Sequence, residues 1–184
     1  TRIGSYAFQS ASRLTSIAIP ESVTTIGIGA FRGSGLTSLQ LPESVTQLGD
    51  SAFRGSRISE ATLSESITTI PPALFSDTQL RTIKLPESTR SIGSSAFYQT
   101  QLTDITVPDG VTSIGDDAFN GSKLTRVSIP NTVESIGERA FAANSLSDLV
   151  IPDSVTAIGE DAFQGSSDLM VYLPSQFEAE SSIS

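Results

Sequence analysis

Phenylalanine recurs at positions 8, 31, 53, 75, 97, 119, 141 and 163, one step of 23 residues followed by six of 22. Self-similarity at this period is the mark of a stacked repeat, and it constrains the fold more than any other feature. A second ladder runs in phase at Ile3, Ile26, Leu48, Ile70, Ile92, Ile114, Ile136 and Ile158. Proline forms a third at 20, 42, 86, 108, 130, 152 and 174, with Ser64 on the missing rung. The unit reads L-T-x-I-x-I-P-[ED]-S-V-T-x-I-G-x-x-A-F-x-G-S, and eight coils account for residues 1 to about 174. One coil cannot bury its own apolar edge, so stability has to come from stacking.

Each unit alternates apolar and polar residues, as in Leu102, Ile105 and Val107 before Pro108, which reads as a short strand with one face inward. A second extended piece follows at Val111–Ile114. The segment Gly115–Gly121, with Ala118 and Phe119 inward, is expected as a turn of 3-10 or α-helix, the glycine before it tolerating positive φ. The expected architecture is therefore a β-rich repeat solenoid of about eight 22–23-residue coils, with short parallel strands and short helical turns. Phe, Ala, Ile and Pro ladders are core and corner residues in this reading.

Composition narrows the chemistry. The chain has no Cys, no His and no Trp, which excludes disulfides, thiolate or imidazole metal sites and Ser-His-Asp or Cys-His nucleophiles. A formal charge of −9 argues against nucleic acid or an anionic membrane as the main partner. No apolar run approaches the roughly 20 residues of a membrane span, so membrane insertion is not expected. The missing thiols suit an exported protein. No catalytic residues and no cofactor are expected. Carboxylate pairs among Asp116, Asp117, Glu138, Glu160 and Asp161 have no pocket in the sequence that would make them a glycosidase site.

The units, for example Ile114-Gly115-Asp116-Asp117-Ala118-Phe119-Asn120-Gly121-Ser122-Lys123-Leu124-Thr125-Arg126-Val127-Ser128-Ile129-Pro130, resemble the BspA-like, treponemal class of leucine-rich repeats. The resemblance covers nearly the whole chain. Ser34, Ser56, Ser122 and Ser166 stand where the family usually has Cys or Asn, and most units are one residue shorter. Ser167–Pro174 is similar to the variant closing repeat of the family. The resemblance implies a secreted or cell-surface protein used in adhesion to host proteins, matrix or other cells, without catalysis.

Solenoids act through outward residues of adjacent coils, which form columns. One column on the main strand reads Ser16, Ser38, Glu60, Thr82, Asp104, Arg126, Asp148 and Met170. Its companion reads Ala18, Gln40, Thr62, Lys84, Thr106, Ser128, Val150 and Tyr172. From these, Ser38, Gln40, Glu60, Thr62, Thr82, Lys84, Asp104, Thr106, Arg126, Ser128, Asp148 and Tyr172 are the candidate ligand face, for a protein or glycan at a surface. The preceding threonines (Thr15, Thr37, Thr103, Thr125) are expected to serve the strand ladder.

Other features allow different readings. Glu21, Glu43, Glu65, Glu87, Asp109, Asn131 and Asp153 form a column after the prolines, which Ca²⁺ could bridge, although P-E-S is also ordinary turn chemistry. Residues 1–90 hold eight basic and seven acidic groups; residues 91–184 hold three and thirteen. Arg32, Arg54 and Arg57 lie near the Phe corner. Coil four is irregular: Ser64 replaces Pro, Pro71-Pro72 replaces Gly-x, Leu74 replaces Ala and Thr89 replaces Val, so a local bend or a change in the second sheet is expected there. Asn120-Gly121-Ser122 is a glycosylation sequon. Coil one opens abruptly at Thr1, and residues 175–184 leave the repeat as a tail or partial cap. An abrupt edge fits either a piece of a longer repeat protein or a subunit stacking end to end into a filament.

Overall fold

The computed structural model describes residues 1–167 and 169–173 of the 184-residue chain. Fifteen short strands follow one another: β1 (Arg2–Ile3), β2 (Thr25–Ile26), β3 (Ser38–Gln40), β4 (Gln47–Leu48), β5 (Glu60–Thr62), β6 (Thr69–Ile70), β7 (Thr82–Lys84), β8 (Ser91–Ile92), β9 (Asp104–Thr106), β10 (Ser113–Ile114), β11 (Arg126–Ser128), β12 (Ser135–Ile136), β13 (Asp148–Val150), β14 (Ala157–Ile158) and β15 (Met170–Tyr172). Each pairs in parallel with its equivalent in a neighbouring coil: Ser38 lies opposite Glu60, and Glu60 opposite Thr82. The expected parallel solenoid is present. Ser16 and Ala18 of coil one lie outside any strand, and the expected tail at 175–184 falls outside the described residues, as does Pro174.

The three-residue strands form the main face, in the groups β3-β5-β7, β9-β11 and β13-β15. The two-residue strands form a second face, in the groups β1-β2-β4 and β6-β8-β10-β12-β14. The second face divides between coils three and four, where the sequence is irregular. In regular coils the glycine after the second strand donates its N–H to the preceding coil's Ile carbonyl, as Gly93 does to Ile70 and Gly115 to Ile92, each at 2.8 Å. Pro71 occupies that place in coil four and has no N–H to give. The Phe stack registers the same defect: rings splay by 14° between Phe53 and Phe75 and by 19° between Phe75 and Phe97, against 4–7° elsewhere.

The third side is not helical. Among the described residues, Gly115–Ser122 is a chain of overlapping turns. Ala118 N–H donates to Gly115, Asn120 to Asp117 and Ser122 to Phe119. The alternate amides Asp117, Phe119 and Gly121 donate instead to Glu138, Ala140 and Ala142 of the next coil, at 2.7–2.9 Å. A helix would consume all of these N–H groups internally. Here half of them staple one coil to the next, and left-handed residues such as Asp117 (φ 55°) and Gly121 (φ 68°) turn the peptides to allow it.

The glycine before these turns has a role other than the one expected. Gly115 does not adopt positive φ; a Cβ there would sit 2.6 Å from the backbone nitrogen of Ser94, so the close approach of coils demands glycine.

The core is one continuous stack. Phe31, Phe53, Phe75, Phe97, Phe119 and Phe141 are fully buried, with centroids 5.1–5.9 Å apart along the stack. Burying each ring is worth roughly 1.5–3 kcal/mol. Polar groups add inter-coil bonds. Ser44, Ser88 and Ser154 of the P-[ED]-S turns donate to Val23, Ile67 and Val133 carbonyls at 2.8, 2.6 and 2.7 Å. Thr37 and Thr125 hydroxyls donate to Thr15 and Thr103 carbonyls of the preceding coil, the ladder role expected of them.

Candidate binding surface

Strand alternation decides which residues reach solvent. The middle residue of each main strand packs inward, and its two neighbours point out. All twelve candidate residues are exposed: Ser38, Gln40, Glu60, Thr62, Thr82, Lys84, Asp104, Thr106, Arg126, Ser128, Asp148 and Tyr172. Register aligns them in two columns, Asp104 opposite Arg126 and Val150 opposite Tyr172. Across coils two to five they border a groove of about 600 Å³ walled by Ser38, Gln40, Glu60, Thr62, Lys84 and Asp104. A second groove of about 430 Å³ follows between Asp104, Thr106, Arg126, Ser128 and Asp148.

Charges on this face are mixed and mostly solvated. Lys84 Nζ lies 3.5 Å from Glu87 Oε1, an exposed pair that a partner can reorganise at little cost. Thr103 and Ser147 hydroxyls donate to the exposed carboxylates of Asp104 and Asp148, at 3.1 Å each. At the C-terminal end of the face Val150 is 66% exposed beside Tyr172 at 57% and Met170 at 59%. The face therefore passes from polar and charged to apolar along the solenoid. The sequence columns contained this gradient, since Val150 and Met170 stand in them, but they were not among the candidate residues.

The acidic column after the prolines has a structural use. Glu43 Oε2 accepts the Glu65 N–H at 2.9 Å, and Glu65 Oε2 accepts the Glu87 N–H at 3.1 Å, each carboxylate reaching into the next coil. Among the described residues no three Asp or Glu groups converge in an arrangement that could hold a metal ion. Among the described residues no helix is long and apolar enough to cross a membrane.

The turn face holds the most structured polar network. Arg139 grips Asp117 with two bonds, Nε to Oδ1 at 3.0 Å and Nη2 to Oδ2 at 3.2 Å, and also contacts Glu138. Asn120 Nδ2 donates to Asp117 Oδ1 at 2.7 Å, so the sequon asparagine is engaged within this network. The Arg139 hydrogen bonds hold the Asp117 carboxyl below its ordinary range, against a smaller opposing effect of burial. Arg54, one of the three arginines near the Phe corner, is paired with Asp77 at 3.1 Å.

The model for the BspA-type leucine-rich repeat region matches six copies, over residues 1–123 and 90–182. A search of curated protein sequences finds no match to this chain. Among solved structures, the pneumococcal vaccine antigen PcpA is similar at 25% identity and TM-score 0.63, covering 92% of this chain and 48% of its own. A leucine-rich repeat protein from Eubacterium ventriosum is similar at 24% identity and TM-score 0.59, covering 94% and 57%. YopM from Yersinia enterocolitica is similar at 18% identity and TM-score 0.60, covering 86% and 32%. The chain spans less than two thirds of the length of each of these proteins.

Proposed function

Because this chain belongs to the BspA-type leucine-rich repeat family, we propose that it is a non-enzymatic surface module that binds a protein partner across its main strand face. Leucine-rich repeat proteins generally bind proteins, and one structural relative is a pneumococcal vaccine antigen. The observation that carries the reading is the in-register pair of exposed columns over a repeating core. Outside coil four the core ladders keep the same residue types from coil to coil, while the outward strand positions from Ser38 to Tyr172 change residue from coil to coil. A partner meets a scaffold whose backbone is already fixed, so little ordering entropy is lost on docking.

Lys84 and Arg126 supply the cationic contacts, Glu60, Asp104 and Asp148 the anionic ones, and Val150 with Tyr172 an apolar anchor. Adhesion to extracellular matrix or host proteins, and a place outside the cell, belong to this proposal. The test is solid-phase binding to a panel of purified matrix proteins. The double variant Lys84→Glu/Arg126→Glu is expected to bind about tenfold or more weakly, with an unchanged circular dichroism spectrum and melting curve. Full binding by that variant would remove the strand face from the account.

A further inference from the structure

The irregular coil four has a consequence on the turn face. There Ala73, Ser76, Ser94 and Ser95 stand in columns that later coils fill with Asp117 and Arg139, Tyr98 and Asn120, and Asp116 and Glu138, and these short side chains form the floor of a cleft of about 560 Å³. That volume lies within the ordinary range of small-ligand sites. Arg54 closes one end, and the Asp117–Arg139 pair closes the other. Tyr98 and Asn120 line it between them. The column to which Tyr98 belongs reads Arg32, Arg54, Ser76, Tyr98, Asn120 and Ala142, so an aromatic ring is placed beside the vacated floor.

We infer that this cleft is a subsite for a neutral oligosaccharide. Sugars present a C–H face that packs on an aromatic ring, and vicinal hydroxyls that bridge planar carboxylate, amide and guanidinium groups. All four group types line this cleft. The polar groups are fixed before any ligand arrives: Arg139 holds Asp117 through two bonds and Asn120 adds a third at 2.7 Å. Fixed donors and acceptors bind hydroxyls without the entropy of ordering long side chains. Charge selects the class. The two arginines are outnumbered by the three carboxylates they pair with, Asp77 for Arg54 and Asp117 and Glu138 for Arg139, so the cluster carries a net negative charge that disfavours a sialylated or sulfated glycan. This site lies on a different side of the solenoid from the strand face and stands independently of it.

Saturation-transfer NMR and titration on the whole chain test the inference, with maltotriose, chitotriose and N-acetyllactosamine as neutral probes and sialyllactose as the anionic one. Millimolar or tighter binding of at least one neutral probe is expected. Tyr98→Ala is expected to weaken it about tenfold. Ser94→Arg, an exposed substitution that refills the floor, should abolish it, while Tyr98→Phe and the remote Lys123→Ala should retain it. Absence of binding by all three neutral probes would overturn the inference. So would binding of sialyllactose alone, or binding that survives both Tyr98→Ala and Ser94→Arg in folded protein.

Discussion

Among the described residues eleven that are not glycine hold positive φ, and all of them stand two places before or after a ladder phenylalanine. The cost of a left-handed L-residue is about 1–2 kcal/mol, met here by inter-coil hydrogen bonds that only this backbone permits. Ala143 (φ 53°) has no side-chain use for that conformation, so Ala143→Gly is expected to stabilise the chain by up to about 1 kcal/mol in urea unfolding. Gly115→Ala should do the reverse, by about 1–3 kcal/mol, since its Cβ would meet Ser94 backbone. The buried polar column after Phe offers a second case. Asn144 donates to the carbonyls of Phe119 and Phe141 at 2.9 Å each and to Ala142 at 3.1 Å, and accepts the Leu124 N–H at 3.0 Å. Ser34 and Ser56 occupy equivalent places with their hydroxyls unpartnered. Ser56→Asn is therefore expected to raise stability by about 1 kcal/mol, and Asn144→Ala to lower it by about 2–3 kcal/mol, both read from denaturant midpoints. A fall in stability for Ser56→Asn would show that its pocket is too narrow for the longer side chain.

Each coil is made of three sides whose sequence signals differ in strength. The strands were legible because alternation with β-branched residues is unambiguous, and the break at coil four was legible because Pro71 removes a donor. The turn side was not. Apolar spacing around Ala118 and Phe119 suits one helical turn equally well, and only inter-coil bonding excludes it. Those bonds align the peptides of the turn face head to tail, N–H toward the C-terminal coils. As in a helix, aligned peptide dipoles favour negative charge at the N–H end. The sequence answers with Asp116, Asp117, Glu138, Glu160 and Asp161 in coils six to eight, set against Arg139, while Arg32 and Arg54 stand in coils two and three. The charge pattern of the turn face follows this polarity. It also sets a pH dependence. The Asp117 carboxyl titrates below its unfolded value of about 3.9, so its contribution is complete above that pH and is lost as pH falls through the lowered value. Asp117→Asn should therefore lose less stability between pH 7 and pH 3 than the parent chain does; an equal loss in both would place the acid sensitivity elsewhere.

The whole molecule is a stack in which the core ladders fix the spacing of two surface columns, and the function proposed rests on that fixity. The positions of the strand face were legible in the sequence, because a repeat aligns its own residues without any structure. The turn-face cleft was not, since it depends on which side chains are short in coils four and five and on ion pairs between coils. The measurement that tests the account most directly is native-state amide hydrogen exchange on the free chain, because it reads the rigidity of the strand face before any partner is present. Slow exchange is expected for the inter-coil amides flanking the columns, those of Leu41, Ser59, Arg81, Val107 and Thr125, each bonded to a neighbouring coil at 2.9–3.1 Å. Faster exchange is expected beside the Pro71 defect in the second sheet. Rapid exchange at the five strand-face amides would mean that the face is not held in place, and would contradict a preorganised binding surface.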